Sequence, residues 1–196
     1  IVFGISIILL ISFTINPTSI EIKKIMPGIF WLTYLFSVVI GLLRLYAYEN
    51  EFNAFNMLLL SPIDRGNIYL GKMISIWIFI IITQIITVPL FIIILKFQVP
   101  LKLVIPFISF LLLANWALAA IGTTISGIGM RTEMSEVLIP MLLYPLLSPV
   151  IISSVKVTEE MMKGNGYINY SFWIMIIFTF AIIFTLIGYL TFDIIS

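Results

Sequence analysis

Residues 131–152 read RTEMSEVLIPMLLYPLLSPVII, a short charged run leading into an apolar segment with prolines at positions 140, 145 and 149. The apolar part is about as long as a membrane-spanning helix. Each proline, however, removes a backbone donor and crowds the carbonyl one turn earlier. In hydrocarbon a carbonyl freed in this way needs a partner from a neighbouring helix, a side chain or trapped water. The segment is therefore expected to face protein or a polar cavity. That makes Pro140, Pro145 and Pro149 candidates for the moving or path-lining part of a transport assembly.

The rest of the chain is as apolar as this stretch. Of 196 residues 62% are hydrophobic and 10% charged, with a mean hydropathy of +1.22. Soluble domains carry about 25% charged residues, so the composition describes a polytopic membrane protein. Cysteine and histidine are both absent, which excludes a Cys/His zinc site, a His-ligated haem and a Cys or His nucleophile pair. A formal net charge of +1 gives no argument for nucleic acid.

Apolar runs broken by polar or Pro/Gly clusters predict six spans, at 1–15, 25–47, 73–95, 103–126, 137–155 and 170–192. They form a single transmembrane domain with no room for a soluble one. The first run is shorter than the roughly 20 residues a span needs. Since the chain opens on Ile, a missing N-terminal piece and a truncated first helix are the simplest expectation; a signal peptide fits less well, for want of a basic leader and a small-residue cleavage site. If the 48–72 connection is cytoplasmic, that side holds Arg44, Arg65, Lys72 and Arg131, and the other holds Lys23, Lys24, Lys96, Lys102, Lys156 and Lys163. The positive-inside rule favours the reverse orientation.

Residues 48–60, YENEFNAFNMLLL, place Phe52, Phe55 and Leu59 at helical spacing, with Glu49, Asn53 and Asn56 on other faces. The pattern fits an amphipathic helix over 49–60 that either extends the second span or docks into a groove of a soluble partner. In the fourth span Ala119 with Thr123 and Gly122 with Ser126 recur at four-residue spacing. Such spacing allows close helix packing within the chain, or at a homodimer or moving interface. Gln84 and Asn115 are the amides most clearly within spans; each either bonds across helices or lines a polar path. Ionisable groups avoid mid-span depth, which argues against an ion-coupled carrier and an intramembrane hydrolase. No GxxxxGK[ST] loop occurs in the sequence, so an ATP-driven motor would be another subunit.

Several strings carry a family likeness: Pro27-Gly28-Ile29-Phe30-Trp31, Arg44-Leu45, Met57-Leu58-Leu59-Leu60-Ser61-Pro62, Leu70-Gly71-Lys72, and above all Arg131 with the run 136–150, EVLIPMLLYPLLSPV. From about Pro27 to the C-terminus the chain resembles the CcmB family, the haem exporter B membrane subunit of the cytochrome c maturation ABC complex. The resemblance implies an all-α integral membrane fold of six transmembrane helices, like a type 2 ABC exporter permease. It also implies a multi-pass protein of the bacterial inner membrane with both termini cytoplasmic. Two copies would pair with two copies of a CcmA-like ATPase and be joined by CcmC-like and CcmD-like membrane subunits. ATP hydrolysis by the partner would drive release of a haem-loaded CcmE-like chaperone. This subunit would be non-catalytic and bind no cofactor itself, the haem being handled by the complex and the ATP by the ATPase.

By position, the resemblance assigns ATPase coupling to Glu49, Glu51, Phe52, Phe55 and Leu59, and to a second short loop with Arg131, Glu133 and Glu136. The chain departs from the family pattern at Leu43, where a Glu is common, and at 52–56, where an acidic Asp-Gly-x-Leu-Glu-like run is common. A type 2 permease for a lipid, polysaccharide or drug would share the architecture without the proline string. A non-transporting scaffold for haem-handling partners would need no conformational cycle.

Overall fold

The computed structural model describes residues 2–14, 20–51, 64–129 and 135–195, and among them every regular element is helical. The described residues form six α-helices in order: α1 (Val2–Thr14), α2 (Ile20–Glu51), α3 (Arg65–Leu95), α4 (Val104–Gly129), α5 (Ser135–Met162) and α6 (Ser171–Ile195). Short 3-10 turns at Leu101–Leu103 and Tyr167–Asn169 lead into α4 and α6. Among the described residues five stretches are long and apolar enough to cross a membrane: Lys24–Leu43, Arg65–Leu95, Leu101–Gly127, Val137–Met162 and Ser171–Phe192. The 13-residue α1 is equally apolar but short; at 1.5 Å per residue it reaches about two thirds of a 30 Å hydrocarbon layer. It lies against α2 and α3, with Gly4 beside Thr87, Ser37 and Thr33.

The long helices begin or end beyond the runs that hydropathy predicts. The second helix continues without a break through Glu51, so the first residues of the expected surface helix prolong it; residues 52–63 lie outside the described part. The third begins at Arg65, eight residues before the expected 73. Asp64 caps it by accepting from the Gly66 N–H at 3.4 Å, which satisfies one of the donors orphaned at a helix start. Ile68, Tyr69, Met73, Ile76 and Ile80 then form a buried stripe at helical spacing. Likewise α5 runs on past 155 because Val157, Thr158 and Met161 continue its buried face. At the far end of α3, Lys96 takes a left-handed conformation, φ 53°, and the Phe97 N–H donates to the Phe91 carbonyl at 3.2 Å.

The core is centred on α4, which packs against α2, α3, α5 and α6. Every residue from Ala117 to Gly127 is buried, and most are small. Small side chains let four neighbours approach one helix closely, which matters where lipid offers no hydrophobic drive to association. Outward-facing positions are apolar as well, including Ile85, Ile93, Ile105 and Leu190. Where α2, α3 and α4 meet, Phe30 contacts the rings of Trp31, Tyr34, Phe91, Phe97 and Phe107 at centroid distances of 4.7–6.4 Å.

Candidate functional site: the proline-bearing helix and its clasped neighbours

Helix α5 buries Ile139, Leu143, Leu147, Val150, Val157 and Met161 along one face, against α2, α4 and α6. The prolines sit off that stripe: Pro145 is exposed, and Pro140 and Pro149 are half-buried. Within one copy of the chain, therefore, they turn partly outward. At Pro149 the broken ladder is repaired from inside the helix. Pro149 cannot donate to the carbonyl of Pro145, and the Ser148 hydroxyl takes that carbonyl at 2.7 Å. A neighbouring hydroxyl thus answers the demand that hydrocarbon places on a freed carbonyl. Ser148→Ala should lower the melting temperature of the detergent-solubilised chain by the equivalent of about 1 kcal/mol, and Pro149→Ala added to it should restore the loss by returning the backbone donor. A double variant no better than Ser148→Ala would refute this repair.

Buried polar side chains tie the helices together across the bundle. The Gln84 amide of α3 and the Asn115 amide of α4 are reciprocal partners, Nε2 donating to Oδ1 at 3.0 Å and Nδ2 donating to Oε1 at 2.7 Å. Of the two readings open in the sequence, the structure shows the cross-helix bond. The Trp31 Nε1–H of α2 donates to the Thr158 hydroxyl of α5 at 2.8 Å, and the hydroxyls of Tyr34 and Thr87 bond α2 to α3. Gln84→Leu orphans Asn115, so it should cost about 1–2 kcal/mol, whereas Gln84→Leu/Asn115→Leu should recover most of that loss. Thermal unfolding of the three chains checks the sign; a double variant worse than the single would contradict the pairing.

A second joint holds α3 to α6, and it is reciprocal. Tyr69 of α3 lies over Gly188 of α6, where a Cβ would stand 2.2 Å from Cζ of the ring. Its hydroxyl donates to the Phe184 carbonyl at 3.1 Å and the Ala120 carbonyl at 3.3 Å, and lies 3.3 Å from the Thr124 hydroxyl. In return Tyr189 of α6 lies over Gly66 of α3, where a Cβ would stand 2.5 Å from Cε2. The Tyr189 hydroxyl donates to Asp64 Oδ2 at 3.4 Å, the same carboxylate that caps α3. Each helix thus gives a ring and receives one, and the clasp sits where the chain re-enters the bundle after residues 52–63.

Of the residues singled out in the sequence, Ala119, Gly122, Thr123 and Ser126 are all buried in α4. Gly122 admits Leu42 of α2, whose Cδ1 would stand 2.6 Å from an added Cβ. The contact identifies this stripe as packing within the chain. Among the described residues the Ser126 and Ser154 hydroxyls are buried without a hydrogen-bond partner, leaving small volume as what they contribute. Glu49 and Glu51 fall in the last turns of α2 and Glu136 in the first turn of α5. Phe52, Phe55, Leu59, Arg131 and Glu133 lie outside the described residues. The clasp and the Trp31–Thr158 tie were missed in the sequence. Their one visible signal is a Tyr, Trp or Thr inside an apolar span, where a polar tip needs a partner.

Comparison with known proteins identifies a family. A sequence model described as CcmB protein matches residues 1–193. "Heme exporter protein B" of Rhodobacter capsulatus is 26% identical over 162 residues, covering 83% of this chain and 73% of that protein. The protein of the same name from Pseudomonas aeruginosa is 23% identical over 173 residues, covering 88% of this chain and 77% of that one. Among its described residues the chain is an all-helical bundle with five helices of spanning length, and the match over residues 1–193 places it in the CcmB protein family.

Proposed function

We propose that the chain is the permease subunit of a haem-handling complex in cytochrome c maturation, in the bacterial inner membrane, driven by ATP hydrolysis in a separate ATPase. Membership of the CcmB family, with relatives named as haem exporters, is the observation that carries this reading. In a strain lacking the chain, haem-stained c-type cytochrome should fall to background and return with the wild-type gene; unchanged holocytochrome would sink the proposal.

In this reading the ATPase pair pulls on residues 49–60 and on the 131–136 loop as it closes. The continuity of α2 through Glu51 supports transmission, since a rigid helix carries a displacement at its end into the bundle. The proline-bearing α5, with a backbone bond replaced by a side-chain one, is the pliable member. CcmC-like and CcmD-like membrane subunits and a CcmE-like chaperone complete the assembly, with a second copy of this chain. Changing Phe52 and Phe55 to Asp should reduce co-purification of the ATPase by at least tenfold, two buried charges being costly in a helix-in-groove contact. Undiminished recovery would remove the docking role from these residues.

The density of buried ties, Trp31–Thr158, Gln84–Asn115 and the Tyr–Gly clasp, favours one alternative, a static scaffold that anchors haem-handling partners. Crosslinking α5 to α2 separates the two. Loss of ATP-dependent chaperone release supports a moving permease, and continued release supports the scaffold.

A further inference from the structure

The ends of α2, α3 and α5 bring a set of lysines together on one side of the bundle. Lys24, Lys96 and Lys163 line a cavity of about 310 Å3 with Glu159, over a floor that includes Pro27 and Met162. These residues stand at the ends of the spans Lys24–Leu43, Arg65–Leu95 and Val137–Met162. The cavity therefore opens at the depth where lipid headgroups meet hydrocarbon.

Charge pairing inside the cluster is uneven. Glu159 accepts from Lys163 at 2.7 Å and from Lys156 at 3.0 Å. Glu160 accepts from Lys163 at 3.1 Å and from the Asn165 amide at 2.6 Å. The bonds to Glu159 and Glu160 push the Lys163 ammonium above its ordinary range, so it stays charged. Among the described residues, Lys24 and Lys96 pair with no carboxylate. The lining carboxylate is thus already matched from two sides, and two ammonium groups on different helices face the cavity unmatched.

We propose that this cavity binds the phosphate of an anionic phospholipid headgroup, with Lys24 and Lys96 on the phosphate and Pro27 and Met162 against the start of the lipid's apolar part. A compact ammonium is a phosphate binder of general use, and two of them at span ends, with no carboxylate of their own, attract an anionic headgroup by charge. A free phosphate shares the charge but gains nothing from the apolar floor.

The test uses the full-length chain in nanodiscs of phosphatidylcholine with a minor fraction of phosphatidylglycerol. The lipid retained after detergent extraction is counted by mass spectrometry. Wild type should retain phosphatidylglycerol above its bulk share, and Lys24→Gln/Lys96→Gln should lower that enrichment about tenfold or more. Lys102→Gln changes an exposed lysine on the same side but outside the cavity, and should behave as wild type. Equal enrichment in the double variant, or an equal loss in Lys102→Gln, would overturn the site. Adding inorganic phosphate separates the two sources. Persistence of the retained lipid supports a headgroup site, and its complete displacement at millimolar phosphate overturns the lipid assignment. All three lysines are exposed, and unchanged melting of the variants confirms that binding rather than folding is being read.

Discussion

Gly188→Val should be among the most damaging single changes in the helical bundle. The added Cβ would stand 2.2–2.4 Å from the Tyr69 ring and hydroxyl, far inside contact distance. Tyr69 cannot swing away cheaply, because its hydroxyl is held by carbonyls of both α4 and α6 and its ring is fully buried. Overpacking of this kind costs about 3 kcal/mol when neither partner can yield. The detergent-solubilised chain should lose monodisperse elution at a much lower temperature than wild type, and haem-stained cytochrome should fall with it. Gly122→Ala is the comparison: the atom it meets is the tip of a flexible leucine, Leu42 Cδ1, so its cost should be markedly smaller. A Gly188→Val chain as stable as Gly122→Ala would show that the clasp is not a rigid joint.

Trp31→Ala should be at least as severe. The indole is fully buried, with ring contacts to Phe30, Tyr34 and Phe110 at 5.6–6.2 Å and its N–H on Thr158. Truncation of a buried Trp costs about 3–5 kcal/mol. Because lipid is as apolar as the core, the loss here is mainly packing rather than transfer. Trp31→Phe keeps a ring and forfeits only the bond to Thr158, whose own hydroxyl still donates to the Ser154 carbonyl at 2.8 Å. Its cost should be about 1 kcal/mol. Equal melting temperatures for Trp31→Phe and Trp31→Ala would mean that the bond, not the packing, holds α2 to α5.

The membrane class and the approximate spans were legible because hydropathy averaged over about 20 residues is the signal a spanning helix must carry. Helix ends were not, since averaging treats residues 65–72 and 156–162 as polar although one face of each stretch continues the core. The stripe Ala119, Gly122, Thr123 and Ser126 was legible as close packing, its periodicity lying within one helix. The Gln84–Asn115 pair was legible only as two amides needing partners. Which partner each finds depends on the rotation and register of two helices, which no single segment encodes. For the same reason the clasp was invisible: Tyr69 and Gly188 look ordinary until α3 and α6 are set side by side. The family strings were legible as a resemblance, and the match over residues 1–193 agrees with them.

The central place of α4 has a consequence for biosynthesis. The chain enters the bilayer from its N-terminus, and α2 and α3 are complete while their common partner is still unmade. During that interval Gln84 has no amide to meet, and the Tyr69 hydroxyl lacks the carbonyls of Ala120 and Phe184. These polar tips must then rest on the insertion machinery or on transient water, because lipid cannot satisfy them. Arrival of α4 relieves Gln84, and arrival of α6 closes the clasp. These bonds that join α3 to the bundle thus form last, with partners supplied by helices later in the chain.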